Sequence, residues 1–325
     1  MRNPFLLSVP LMLIGYFLLT HSIANHILPP ARQSVIFLED VLSGKFPIRN
    51  PKVLILGDST AGFNYTAGVL PDTLTLSMFS GSFAEHYYAF KRYLEKYPAP
   101  KCVILTASYN WSYHRADRFW DIYPYHNFYS WKELNDIYDT SRKVGDFPAT
   151  EFSKPGFLLT AGLYRLHLRG IHMEDVQSAF YVNGLIRANR SFWALMRQNS
   201  GSINKSSNFF PFIWDPHAHL NKPFQAAPLY DAYFERIVEL VHDVGAQLHF
   251  IQSPISELLV NENSRKFFND LHRHFEPIIH AYPGNTYNEE LKVYPNDLMF
   301  SGTHLNVQGA LRFTEENRKV FEDCQ

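Results

Sequence analysis

Two runs of unbroken apolar residues constrain this chain most: Val53-Leu54-Ile55-Leu56 and Cys102-Val103-Ile104-Leu105. A half-exposed strand alternates apolar and polar residues. A run apolar at every position suits a strand covered on both faces, as in a parallel sheet. Each run stops at a small polar turn, Gly57-Asp58-Ser59-Thr60 after the first and Ser108-Tyr109-Asn110 after the second. Helical spacing lies between and beyond them. Ala84–Lys96 is closed by Pro98 and Pro100, helix 225–244 precedes strand Leu248–Gln252, and helix 262–281 precedes a strand near Asn285–Tyr287. A closing helix is expected over 307–322. With Thr73–Met78 as the second strand, strands alternate with helices, which predicts a three-layer α/β/α sandwich around a parallel, flavodoxin-like sheet.

Residues 111–222 break that rhythm. They open with nine aromatics in the 21 positions from Trp111 to Trp131 and continue through expected helices near 131–141, 156–169 and 175–198. The organisation expected is therefore an N-terminal segment over 1–24, a linker and lead-in helix over 25–50, and an α/β domain formed by 51–110 and 223–325. A mostly helical, aromatic-rich insertion over 111–222 would serve as lid or cleft wall, its aromatics stacking on sugar rings, packing as core beneath a lid or sitting at a membrane interface near the anchor. FLLTAGLYRL at 157–166 is too short to span a membrane and reads as a buried lid helix.

Pro4–Thr20 carries no charge and follows the lone Arg2. Its 17 residues sit at the lower edge of the about 17–25 of a spanning helix and above the about 7–15 of a signal-peptide core. Ser22-Ile23-Ala24 would pass as a cleavage site. An uncleaved signal anchor, a cleaved signal and a buried helix all stay open. Either of the first two puts the folded part across the membrane, anchored through the N-terminal helix or secreted.

The formal net charge of −1 supplies no basic field for nucleic acid. Two cysteines are too few for a disulfide framework and lack zinc-site spacing, so Cys102 is expected as a buried thiol unpaired with Cys324. His217-Ala218-His219 without neighbouring carboxylates is a weak metal signal, and no metal or organic cofactor is expected. The sequons at Asn64, Asn110, Asn189 and Asn204 are common enough by chance to carry little weight.

Ligands of open α/β sheets bind beyond the carboxyl ends of the strands, and four polar segments fall there. Ser59 follows the first strand, Gly81 the second and Asn110 the third, while His304 precedes the last helix. A serine nucleophile needs a base in reach and donors for an oxyanion. Ser59, His304, the N–H groups of Ser59 and Gly81, and the Asn110 amide supply those types. The order Gly57-Asp58-Ser59, Gly81, Ser108-Tyr109-Asn110 and His304-Leu305-Asn306 resembles the SGNH/GDSL hydrolase superfamily over roughly 50–110 and 245–322. The third block keeps the asparagine and loses its glycine. The last block has Ser301 where the family carries an acid three residues before the histidine, so either Asp297 replaces it, reached round a loop, or His304 acts in a Ser–His dyad oriented by a backbone carbonyl.

Among such families the layout is closest to membrane-anchored envelope proteins related to those of alginate O-acetylation and teichoic acid D-alanylation. That resemblance implies ester hydrolysis or acyl transfer on an acylated envelope glycan or lipid, with Ser59 as nucleophile, His304 as base and Asp297 as acid. A membrane acyl-donor protein would be a partner by analogy. Trp111, Tyr113 and Trp120, close behind Asn110, are the substrate-wall candidates. Ser301 supports a competing reading as a non-catalytic envelope scaffold or glycan-binding protein; a thioesterase or lipase with an aromatic lid is a third.

Overall fold

The computed structural model describes residues 12, 15, 30–46, 50–66, 70–108, 119–120, 123–124, 127–166, 193–203, 220 and 223–324. The expected anchor over 4–20 therefore lies outside the described residues apart from two positions. Among the described residues no helix is long and apolar enough to cross a membrane.

The chain divides into two compact units: one of 34–114 with 193–325, the other of 1–33 with 115–192. Residues 193–203, expected within the insertion, thus group with the first unit. That unit is α/β. Helix α1 (Pro30–Leu42) leads into strand β1 (Val53–Gly57), helix α2 (Ser59–Asn64), β2 (Thr73–Ser77), α3 (Phe83–Leu94) and β3 (Cys102–Ala107). Helices α4 (Trp131–Val144) and α5 (Lys154–Arg165) belong to the second unit. The first resumes with α6 (Pro228–Asp243), β4 (Gln247–Gln252), β5 (Ile255–Ser256), α7 (Glu262–Ile279), β6 (Thr286–Asn288), β7 (Val293–Tyr294), α8 (Val307–Glu316) and α9 (Arg318–Asp323).

Among the described residues the main sheet has five parallel strands in the order β2-β1-β3-β4-β6. The order reverses at β1, which puts the β1–β3 crevice at the topological switch point where such sheets bind ligands. The apolar runs are explained by this position. Every residue of β1 and β2 is buried. Val53, Ile55, Ile104 and Ile251 face Tyr65, Phe313 and Phe321 on one side. Across the sheet, Phe250 of β4 meets Phe234 of α6 and Phe275 of α7, with ring centroids 5.8 and 6.1 Å away. Helices thus cover both faces, and the three-layer α/β/α fold is observed.

The free edge of β2 is occupied by the loop around residue 200. The Thr75 N–H donates to the Ser200 carbonyl at 2.8 Å, which blunts an edge that would otherwise offer unpaired groups. Gly201, at φ +93°, is obligatory here, since a Cβ would stand 1.9 Å from the Thr75 carbonyl oxygen. The closing helix departs from expectation. It breaks at Asn317, whose side-chain amide bonds the Phe313 carbonyl at 2.8 Å, so 307–322 becomes α8 and α9.

The second unit is held by an aromatic core. Trp120 is 6% exposed, ringed by Phe119, Phe147, Phe152, Phe157 and Tyr164. Its surface is spent on packing, which corrects its expected place in a substrate wall. Trp111 and Tyr113 lie outside the described residues.

The cysteines also correct an expectation. Cys102, at the start of β3, and Cys324, just past α9, form a disulfide across 222 residues. Separation in sequence hid the pair; the final helix folding back over β3 creates it. Closing so long a loop restricts the unfolded chain strongly. Reduction, or Cys324→Ser, is expected to remove about 2–5 kcal/mol of stability, read as a lower midpoint in thermal unfolding with and without a phosphine reductant.

Candidate active site

The site begins with a glycine that has no room for a side chain. A Cβ on Gly57 would lie 2.5 Å from the Thr106 carbonyl oxygen and 2.9 Å from the Ala61 Cβ. With β1 pressed this closely on β3, Asp58 follows as the N-cap of α2, and its Oδ1 accepts from the Thr60 N–H at 2.8 Å and the Thr60 hydroxyl at 2.6 Å. Its Oδ2 accepts from the Ser108 hydroxyl at 2.6 Å. The Asp58 carbonyl accepts from the Ser77 hydroxyl at 2.7 Å. Since Thr60 donates to Asp58, it accepts from Ser253 at 2.8 Å, which leaves Ser253 to accept from Thr106 at 3.0 Å. The ends of β1, β2, β3 and β4 are thereby laced to one residue, β2 through the Asp58 carbonyl and the others through its carboxylate.

This knot fixes Ser59 as the first residue of α2. The Ser59 Oγ lies 2.8 Å from His304 Nε2, a contact between residues 245 apart. Ser59 is half-buried, so solvent reaches the residue. Its N–H, at the first turn of a helix, has no partner among the described residues and is free to face a developing oxyanion.

His304 is held by α2 itself. At the far end of that helix, Asn64 is fully buried, its amide donating to the Thr303 carbonyl at 3.4 Å and its Oδ1 accepting the Leu305 N–H at 2.9 Å. The two bonds grip the backbone on either side of His304. Phe63 stands edge-on to the imidazole at 4.8 Å and stacks on Phe300 at 5.3 Å. One short helix therefore carries the serine, a wall for the histidine and the clamp on its backbone. Sequence reasoning missed this: Asn64-Tyr65-Thr66 drew attention only as a sequon, and full burial rules out a glycan there.

The block after residue 296 is built by Asn306 and Gly309. Asn306 caps α8 through the Gly309 N–H at 3.0 Å and donates to the Asp297 carbonyl at 2.6 Å. A Cβ on Gly309 would meet the Leu298 carbonyl oxygen at 2.2 Å. Asp297 thus contributes its backbone here, and its carboxylate does not reach His304. Nδ1 of His304 faces the Ser301 Oγ at 2.7 Å and, more distantly, the Thr303 Oγ1 at 3.4 Å. The turn that brings Ser301 there is closed by the Phe300 and Ser301 N–H groups, both on the His304 carbonyl at 2.7 and 3.1 Å.

Gly81 is placed differently from expectation as well. Its N–H donates to the Met78 carbonyl at 2.7 Å, and a Cβ would lie 2.7 Å from that same oxygen. Glycine is required by this tight turn, and its N–H is not free for an oxyanion. Asn110 lies outside the described residues, as do His217 and His219.

Electrostatics keep the imidazole neutral. Enclosure of the ring lowers the His304 pKa to about 4, with the Asp58 charge opposing the drop. A second imidazole, His86 of α3, is fully enclosed near the same turn. Burial pushes it down to about 4 as well, against the Asp58 charge and a hydrogen bond with the Gly57 backbone. Elsewhere, Cys102, His249 and Cys324 offer donor atoms within 4.8 Å of one another. The two sulfurs are bonded together, so no thiolate is available there for a metal.

No family model and no curated protein matches the chain. A solved structure described provisionally as a platelet activating factor from Streptococcus pneumonia is 10% identical, with a TM-score of 0.41, covering 97% of this chain and 99% of that one. At that distance the likeness carries no functional argument.

Asn64→Ala is expected to cost about 1–3 kcal/mol, because it leaves the buried Leu305 N–H unpaired. Urea unfolding of the variant against the parent chain measures it. An unchanged midpoint would show that Asn64 does not hold this turn.

Proposed function

We propose that this protein is a serine esterase or O-acyltransferase of the SGNH-like kind, with Ser59 as nucleophile and His304 as its base. The observation that carries the reading is the 2.8 Å contact of Ser59 Oγ with His304 Nε2, at the switch point of a parallel sheet. In the reaction Ser59 Oγ attacks an ester carbonyl while Nε2 takes the hydroxyl proton. The tetrahedral oxyanion is met by the Ser59 N–H, with the Asn110 amide as the second donor implied by the SGNH resemblance. Collapse expels the alcohol, which takes the proton from Nε2, and leaves Ser59 acylated. Water, or an acceptor hydroxyl in the transferase case, then repeats the sequence in reverse.

An acylated envelope glycan or lipid is the proposed substrate, reached from the extracytoplasmic side with the N-terminal segment as anchor. The Cys102–Cys324 disulfide supports that placement, since such bonds persist in oxidising compartments. The competing reading, a non-catalytic binding protein of the same fold, is favoured by one observation: a hydroxyl, not a carboxylate, stands behind His304. Loss of the acid behind a catalytic histidine lowers turnover by about 10⁴ in serine proteases, so a slow enzyme is expected.

Hydrolysis of p-nitrophenyl acetate by the full chain decides between the two. Ser59→Ala should abolish burst and turnover alike; parent activity no greater than that of the variant would leave the binding protein. Because enclosure lowers the His304 pKa to about 4, the base stays unprotonated through mildly acidic conditions. Activity should hold as pH falls through 6.5 and be lost only toward 4. A half-loss near 6.5 would mean that the imidazole titrates as if in water.

A further inference from the structure

Ser301 differs from the acid it replaces in one respect that matters to a histidine: it carries a proton of its own. An ionised carboxylate only accepts hydrogen bonds. Placed behind Nδ1 it holds the ring proton there and leaves the Nε2 lone pair turned to the serine. A hydroxyl donates as readily as it accepts, so the position of the ring proton is decided by what else each group can bond.

Ser301 has little choice. It is 2% exposed, and among the described residues His304 Nδ1, at 2.7 Å, is the only acceptor its hydroxyl reaches. If Nδ1 carries the ring proton and donates to Ser301, the Ser301 hydroxyl proton is stranded in a buried turn. If Nε2 carries it, Ser301 donates to Nδ1 and Nε2–H donates to the Ser59 Oγ at 2.8 Å. The Ser59 proton then turns to solvent, which reaches this half-buried residue. Every proton is satisfied in the second arrangement and one is lost in the first. The penalty for a buried hydroxyl without an acceptor favours the second by roughly ten- to a hundredfold.

We infer that the Ser301 hydroxyl holds His304 in its Nε2–H tautomer, so that the Ser59–His304 pair rests with its hydrogen bond reversed. This rests on the reading of Ser59 as nucleophile and His304 as base. Before Nε2 accepts the Ser59 proton, the ring changes tautomer by exchange with solvent water: Nε2 gives one proton up, Nδ1 takes one on, and the Ser301 hydroxyl turns away. The count of protons is unchanged, one on the ring and one on each hydroxyl. Since enclosure keeps the ring neutral at pH 7, the tautomer is the state that counts. Ser301 is a positioning residue, and its effect is to restrain the centre.

Long-range ¹H–¹⁵N correlation on full-length protein labelled at histidine reads the tautomer directly, with His304 identified by the signals lost in His304→Gln. The proton is expected on Nε2 in the parent chain and on Nδ1 in Ser301→Asp. In parallel, the rate of fluorophosphonate reaction at Ser59 should rise at least tenfold in Ser301→Asp and should not fall in Ser301→Ala. A parent ring proton found on Nδ1, or a tenfold fall in Ser301→Ala, overturns the inference; both measurements stand if the aspartate variant fails to fold. Should the proton lie on Nε2 while no variant reacts at Ser59, the tautomer assignment survives and the nucleophile reading does not.

Discussion

Asp58 is 4% exposed, and a carboxylate so placed persists only where hydrogen bonds replace its water. Thr60 supplies two and Ser108 a third, and the hydroxyls of Thr106 and Ser253 extend the chain across the sheet. Each donor in the chain Thr106, Ser253, Thr60, Asp58 points the same way, an arrangement in which hydrogen bonds polarise and strengthen one another. The knot orients α2, and α2 orients everything else in the site. Remove the carboxylate and the serine loses its place together with the strand ends.

From that starting point the economy of α2 follows. The whole helix is six residues long, with Ser59 at the end beside the knot and the clamp, Asn64, at the other. His304 approaches from a turn built by unrelated residues, Ser301, Asn306 and Gly309. Its registry against Ser59 is nevertheless set by Asn64 and Phe63 of the same helix. Errors in the packing of α2 therefore move Ser59 and His304 together, which preserves a contact that separate supports would lose.

Much of this was legible in the residues. Continuous apolar runs identify doubly covered strands because burial on both faces leaves no room for polar alternation. Gly57-Asp58-Ser59 reads as a strand end because a close approach, a cap and a helix start have those side-chain requirements in that order. What stayed hidden depends on contacts between distant segments. Asn64 looks like any sequon until Thr303 and Leu305 fold onto it. The Cys102–Cys324 bond appears only once α9 returns to β3. Gly81 passes for an oxyanion donor until its N–H is seen to turn back to Met78. Asp297 passes for the missing acid until its carbonyl is found capped by Asn306, with Ser301 behind the histidine.

Everything proposed for this site depends on Ser59 being a nucleophile activated by His304. Treating the full chain with a fluorophosphonate and mapping the adduct by peptide mass spectrometry tests it most directly. A single adduct is expected on Ser59, absent after prior heat denaturation and absent in His304→Gln. An intact, folded chain that carries no adduct, or carries it on another residue, would contradict it.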